Sequence, residues 1–525
     1  MKKLLACILI MALLFAGCST SKEPQIDGVQ IKLSDNKITV DGETVTNDNT
    51  QAVYTANDIV FYLAGQDFTY GEGTKEDEHE QSEADAHTVV HITKPGRYVL
   101  SGELSAGQIA VDLGEDAETD PNAVVTLILN GVDISCTVAP AVIFYNVYEC
   151  GVADEETATK DVDTSAAGAN VIVADGTENN INGSYVARIY KSYELNEEGT
   201  EVVDSKKLHK YDAAFYSKKT MNIDGGEKGD GILNIKAENE GLDSELHLTI
   251  NGGNINITSG NDGINTNEDN VSVTTVNGGK LNIFCDGSTG EGDGIDSNGW
   301  LIINGGTVIA QACATSGDAG IDSDLGIYIN GGSVIASGNM LDRIAGGEQT
   351  YAVFGFASRQ VGDSTYTLKN AEGKVVGEYA PTNDFAYLLI AGDELVAGDY
   401  TFWQGDTQLS ASSMNMGNMN NGEIPEGQTN ADGTAPKLPE GMENMQRPQR
   451  DENMQMPEGE FPQMPNDEAP EIPEGMENMT PPNNWGGGMG MGNMMSGGEA
   501  STTFTIVEGG NQFSNVSPIA TTITE

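Results

Sequence analysis

Four near-copies of Asn-Gly-Gly constrain this chain more than any other feature. They begin at Asn251, Asn277, Asn304 and Asn330, with spacings of 26, 27 and 26 residues. Short alternating runs precede them, such as Leu248-Thr249-Ile250 and Leu301-Ile302-Ile303. Others follow them, such as Ile255-Asn256-Ile257 and Leu281-Asn282-Ile283. Alternation is the period of a strand, and Gly after Asn supplies the positive φ of a tight corner. A fixed period in the range of about 20 to 50 residues means stacked units, each burying its apolar face on the next.

A second phrase is interleaved with the first. It reads Gly241-Leu242-Asp243-Ser244, Gly263-Ile264-Asn265-Thr266, Gly294-Ile295-Asp296-Ser297 and Gly320-Ile321-Asp322-Ser323. Hairpins of a β-sandwich could share Asn-Gly turns, but they do not require two phrases in fixed order. Runs at helical spacing are absent from the repeats, which argues against βαβ or leucine-rich solenoids. The expected fold is all-β: a right-handed, single-stranded parallel β-helix, with one coil per copy.

The ends are different material. Met1-Lys2-Lys3 opens a short apolar run that ends Ala16-Gly17-Cys18. That is a secretion signal, and the Cys after small residues points to cleavage before Cys18 and lipidation there. The expected organisation is a signal peptide over 1–18, a linker over 19–50 and the β-helix over 51–410. A disordered Met/Pro/Glu/Gly-rich insertion follows over 411–500. It holds Pro439-Glu440-Gly441-Met442 and again Pro473-Glu474-Gly475-Met476, with too few β-branched residues to form a core. Its methionines invite a Cu(I) reading, but no His lies near them, and a flexible spacer is the simpler account. Over 501–525, Thr503-Phe504-Thr505-Ile506-Val507 returns to alternation and is expected to pair back onto the domain.

Net charge is −54, from 80 acidic and 26 basic residues. This argues against nucleic acid and anionic membrane surfaces as direct partners. Membrane association is expected through the lipid alone, on the outer side of a bacterial cell membrane. Cys136/Cys150 and Cys285/Cys313 could each be disulfides or free thiols.

Stacked coils would set the interleaved phrases into files of acidic residues about 4.8 Å apart. Such carboxylates repel unless protonated or bridged. Ca²⁺ takes about six to eight oxygen ligands without strict geometry. The candidate metal ligands are Asp243, Asp262, Asp293, Asp296, Asp318, Asp322 and Asp324, with Ca²⁺ as cofactor. Solvated turn residues are the plainer alternative, since Asp and Asn suit turns anyway. Trp300, beside a corner, is a weak candidate for glycan contact. No nucleophile–base set stands out among His79, His87, His91, His209 and His247. The carboxylates could serve glycoside hydrolysis, but they recur, whereas an active site is a singular departure. A lyase needs a basic residue, and between Ala237 and Asp342 the only Lys or Arg is Lys280. No catalytic residue is expected.

The chain also resembles the clostridial-type carbohydrate-binding domain lipoproteins. The residues that carry the likeness are His91 through Gly102 (HITKPGRYVLSG), Leu127 through Ile134 (LILNGVDI), Asp212 through Ser217 (DAAFYS) and the two repeated phrases. The resemblance implies a calcium-containing parallel β-helix that binds cellulose or acidic pectic sugars without known catalysis. The expected function is non-catalytic polysaccharide binding at the cell surface. The alternatives are a β-helix lyase or hydrolase and a calcium-dependent adhesin or envelope spacer.

Overall fold

The computed structural model describes residues 26–208, 211–414 and 499–518. The chain is nearly all β, 49% strand and 2% helical, with large sheets. The signal region with Cys18, and residues 415–498 of the expected insertion, lie outside the described residues.

The repeats contribute strands to three parallel files, the third of which ends one copy before the other two. The first file includes His247–Ile250, Val273–Val276, Trp300–Ile303 and Gly326–Ile329. It stacks in register, so that Ile250, Val276, Ile303 and Ile329 form one line. All four are 0% exposed, because alternation points every second side chain inward. The second file includes Asn254–Ser259, Lys280–Cys285, Thr307–Gln311 and Ser333–Gly338, with Ile255, Leu281, Val308 and Val334 aligned. The third carries the first three of the Gly-Ile-Asp-Ser phrases and aligns Phe215, Leu242, Ile264 and Ile295, while the fourth forms no strand and bonds the file through the Asp322 amide and the Ile295 carbonyl. Burying each such side chain contributes about 1.5–3 kcal/mol.

The Asn-Gly-Gly corners join the first file to the second. Their last glycines, Gly253, Gly279, Gly306 and Gly332, have φ between +83° and +96°. The asparagines bond along the stack. Asn277 Nδ2 donates to Asn251 Oδ1 at 2.8 Å, Asn304 to Asn277 at 2.9 Å and Asn330 to Asn304 at 2.8 Å. Here Asn supplies both a turn former and a ladder of amides.

Two boundaries differ from expectation. Val29–Leu33, inside the expected linker, pairs in parallel with Gly96–Leu104 and buries Ile31 and Leu33. Its Val-Gln-Ile-Lys-Leu alternation is short enough to read as linker. At the other end, the parallel files stop near Ile344–Gly346. Beyond them, Tyr366–Asn370, Val375–Tyr379, Gly398–Gln404 and Thr407–Ser413 pair antiparallel around a separate aromatic core. Phe354 stacks on Phe402 at 4.2 Å and on Phe513 at 5.3 Å within it. These strands carry aromatics in place of the Asn-Gly-Gly corner, so nothing turns them into another coil. Gly510–Pro518 pairs in parallel with Tyr351–Gln360 and antiparallel with Thr407–Ser413. Cys136, Cys150, Cys285 and Cys313 are free thiols.

Candidate functional site

The turn from the second file into the third carries Asp262, Asp293 and Asp318. Each bonds a neighbouring coil. Asp262 Oδ1 accepts the Asp293 amide at 2.6 Å, and Asp293 Oδ1 accepts the Ala319 amide at 2.5 Å. Asp318 Oδ2 accepts the Gly292 amide at 2.6 Å, and also Ser316 Oγ. These carboxylates therefore brace the corners, each with one oxygen. In the third file Asp296 lies in register with Asn265, which is in turn in register with Asp243.

The electrostatics are unusual. Burial, then Asp296 and Glu240, push the Asp262 carboxyl well above the usual range. Burial, then Asp262 and Asp322, do the same to Asp293. Asp322 is raised to about 7, first by burial and then by Asp342 and Asp296. Asp342 is raised chiefly by burial, against the opposing pull of Arg343. Carboxylates crowd here because identical corners stack, and buried anions without counter-charge hold their protons.

The structure thus brings Asp262, Asp293, Asp296, Asp318 and Asp322 into one electrostatically linked file. Asp324, exposed, joins its end beside Asp322 and Asp342. Asp243 sits apart from the corner residues: it accepts Asn267 Nδ2 at 2.8 Å and, with Glu245, raises the Tyr216 phenol that burial already disfavours from ionising. Glu240 and Asp342 belong to the file and were not among the expected ligands. Asp342 follows the last repeat in no recurring phrase, so the sequence carries no signal for it.

By donor type, these residues fit a hard divalent cation, which binds carboxylate, amide and carbonyl oxygens. Buried oxygens of Asn265 (Oδ1) and Asp342 (Oδ2) have no hydrogen-bond partner. Among the described residues, no three His, Cys, Asp or Glu side chains converge on a point by themselves. A shell here would therefore draw on Asn265 and corner carbonyls as well.

A second feature lies on the outward face of the first file. A segment running from Cys150 to Ala166 crosses that face. Thr164 Oγ1 meets Thr249 Oγ1 at 2.7 Å, and Asn222 Nδ2 donates to the Thr164 carbonyl at 2.8 Å. Lys160 lies 5.4 Å from the Tyr328 ring centroid. Between this strap and the file is a cleft of about 280 Å³, lined by residues 162–165 with Asn222, Thr249, Thr275, Asn251, Asn277 and Asn304. Trp300 is half-buried on the same face but does not line the cleft. The repeating Asn was visible in sequence. The strap was not, because Thr164 and Thr249 are 85 residues apart.

Four histidines are described, and each has local partners or surroundings. His79 contacts Glu83, His87 the Glu83 carbonyl, and His91 Asp58. His247 is 1% exposed and accepts the Val273 amide, and burial lowers it to about 4. Among the described residues, no helix is long and apolar enough to cross a membrane.

A carbohydrate-binding domain-containing protein of Acetivibrio thermocellus is 27% identical over 257 residues, which span 49% of this chain and 64% of that relative. A solved structure, described as a polysaccharide lyase-like protein from C. thermocellum in a gadolinium derivative, is 20% identical. It covers 61% of this chain and 99% of that one, with a TM-score of 0.33. The family model for carbohydrate-binding domain-containing proteins matches residues 86–372, more than half of the chain. The chain belongs to the carbohydrate-binding domain-containing protein family.

Proposed function

We propose that this protein is a lipid-anchored, extracytoplasmic module that binds polysaccharide without cleaving it, on a calcium-stabilised, right-handed parallel β-helix. The observation that carries the proposal is the acidic file from Asp262 to Asp322, in which burial first and neighbouring carboxylates second hold Asp262, Asp293 and Asp322 above the usual range, with no basic neighbour until Arg343. Bound Ca²⁺ would supply positive charge where the coils have concentrated negative charge. Asp262, Asp293, Asp296, Asp318 and Asp322 would hold it, with Asp243 and Asp324 at the margins of the file. The protein's own part is to fix the corners. The amides of Asp293 and Ala319 orient one oxygen of Asp262 and Asp293 respectively, leaving the other for a ligand.

In-register stacking gives a glycan chain repeated contacts on a rigid surface, and the family relationship supports carbohydrate as the partner. The recurrence of the carboxylates favours a structural role for them over acid–base chemistry. Cleavage before Cys18 and lipidation there would hold the module to the bacterial cell membrane.

Affinity electrophoresis tests the proposal. The mature chain is run through gels containing polygalacturonate or a soluble β-glucan, with Ca²⁺ or with chelator. Retardation in at least one glycan, lost with chelator and without shortening of the polymer, is the expected result. Equal mobility in every gel would move the protein to the adhesin or spacer class. Shortened polymer would make it an enzyme.

A further inference from the structure

We infer that the cleft between the 150–166 strap and the outward face of the first file is the sugar-binding subsite, and that it takes a neutral, hydroxyl-rich polysaccharide in preference to a polyuronate. The inference rests on the carbohydrate-binding reading above and gives it a location and a substrate class.

Asn222 is the first ground. It is 5% exposed and lines the cleft, and both of its N–H donors are used, on Thr164 and Asn170. Its Oδ1 is buried with no partner. An unmet buried acceptor costs about 1–3 kcal/mol, and a sugar hydroxyl would meet this one once the strap contact at Thr164 shifts to admit it.

The second ground is periodicity. Thr249 and Thr275 lie in register on adjacent coils, and Asn251, Asn277 and Asn304 follow on successive ones. In the ladder, each of Asn277 and Asn304 spends one N–H on the preceding asparagine, and an amide has a second to offer. The coils repeat at about 4.8 Å, close to the advance of one hexose along an extended chain. One donor and one hydroxyl per coil is the spacing that such a polymer requires.

The third ground is charge. Among the residues lining the cleft, only Asp163 is ionisable. Lys160, the nearest base on the strap, is bonded to Asp161 at 2.7 Å. A polyanion would meet a negative rim with no cation to receive it, whereas a neutral glycan incurs no such cost.

Two substitutions fill the cleft from opposite walls: Thr275→Trp on the file and Ser165→Trp on the strap, which leaves the coil stack untouched. Asn256→Ala, on the second file, is the control. Each full mature chain is run with Ca²⁺ in gels of hydroxyethylcellulose and of polygalacturonate, alongside far-ultraviolet circular dichroism. Wild type and Asn256→Ala should be retarded more by hydroxyethylcellulose than by polygalacturonate. Both folded tryptophan variants should lose at least tenfold in affinity for hydroxyethylcellulose. If either variant, folded, binds as wild type does, or if Asn256→Ala loses binding equally, the cleft is not the subsite. Tighter wild-type binding to polygalacturonate overturns the substrate class. A wild type that binds neither polymer removes the carbohydrate-binding reading itself, and the cleft with it.

Discussion

Asp322→Asn should change how stability depends on pH, by an amount that follows from the carboxylate file. The folded protein holds the Asp322 proton up to about pH 7, against an ordinary value of 3.8. Between pH 5 and pH 7 the folded state therefore binds a proton that the unfolded chain has released. Stability falls as pH rises through that window. At about 1.4 kcal/mol per pH unit, the penalty over those two units is about 2–3 kcal/mol. Asn keeps the acceptor for the Ser323 amide that Asp322 uses, and removes the charge. His247 works in the opposite direction. Held neutral by burial to about 4, it makes the folded state lose stability as pH falls below its ordinary value of 6.5. Asp35 and Glu83, both lowered, act only nearer pH 4. The informative quantity is thus the variant-minus-wild-type difference, measured in chelator by urea unfolding at pH 5 and at pH 7.5. Asp322→Asn should gain about 2–3 kcal/mol on wild type between the two pH values. A difference that stays constant within about 0.5 kcal/mol would refute the argument that Asp322 is a buried, proton-holding carboxylate.

Four further outcomes follow, three from the same geometry and one from the sequence. Gly306→Ala puts a Cβ at φ +83° and 2.8 Å from Gly278 and Gly279 backbone atoms, straining the corner where Thr307 bonds the Gly279 carbonyl. It should cost about 2–4 kcal/mol in urea unfolding, from left-handed strain plus a weakened coil-to-coil bond. Gly317→Ala, which meets nothing within 4 Å, should be close to neutral. Ile303→Ala empties a fully buried position in the inward line and should cost about 2–5 kcal/mol; a loss below about 1 kcal/mol would mean that the line is not a packed core. Cys18→Ser should move the protein from the membrane fraction to the medium or periplasm, and continued membrane retention would contradict lipid anchoring.

The parallel stacking was legible because its causes are local and repeated. Asn-Gly-Gly fixes a corner, alternation fixes which side chains face inward, and the period fixes the register. The antiparallel sheet from Tyr351 onward was not, since its strands repeat nothing and gain meaning only from Phe354, Phe402 and Phe513 meeting across long separations. The acidic file shows the same division. Asp262, Asp293, Asp296, Asp318 and Asp322 sit in or beside the repeated phrases and could be chosen from them, whereas Asp342 arrives from outside the repeats. Asp243 shares the phrase but faces Asn267, because a shared register position does not guarantee shared neighbours. Trp300 was marked for its place beside a corner, yet the cleft on its face is built by Asn222 and Thr249, together with a strap from far upstream that no periodicity reveals.

The measurement that bears most directly on the central claim is the binding isotherm of wild-type protein on a soluble β-glucan, taken in Ca²⁺ and again in chelator, with the polymer's viscosity followed throughout. The account predicts saturable binding in Ca²⁺, at least tenfold weaker binding in chelator, and unchanged viscosity. Binding that ignores the chelator, or viscosity that falls with time, would contradict it.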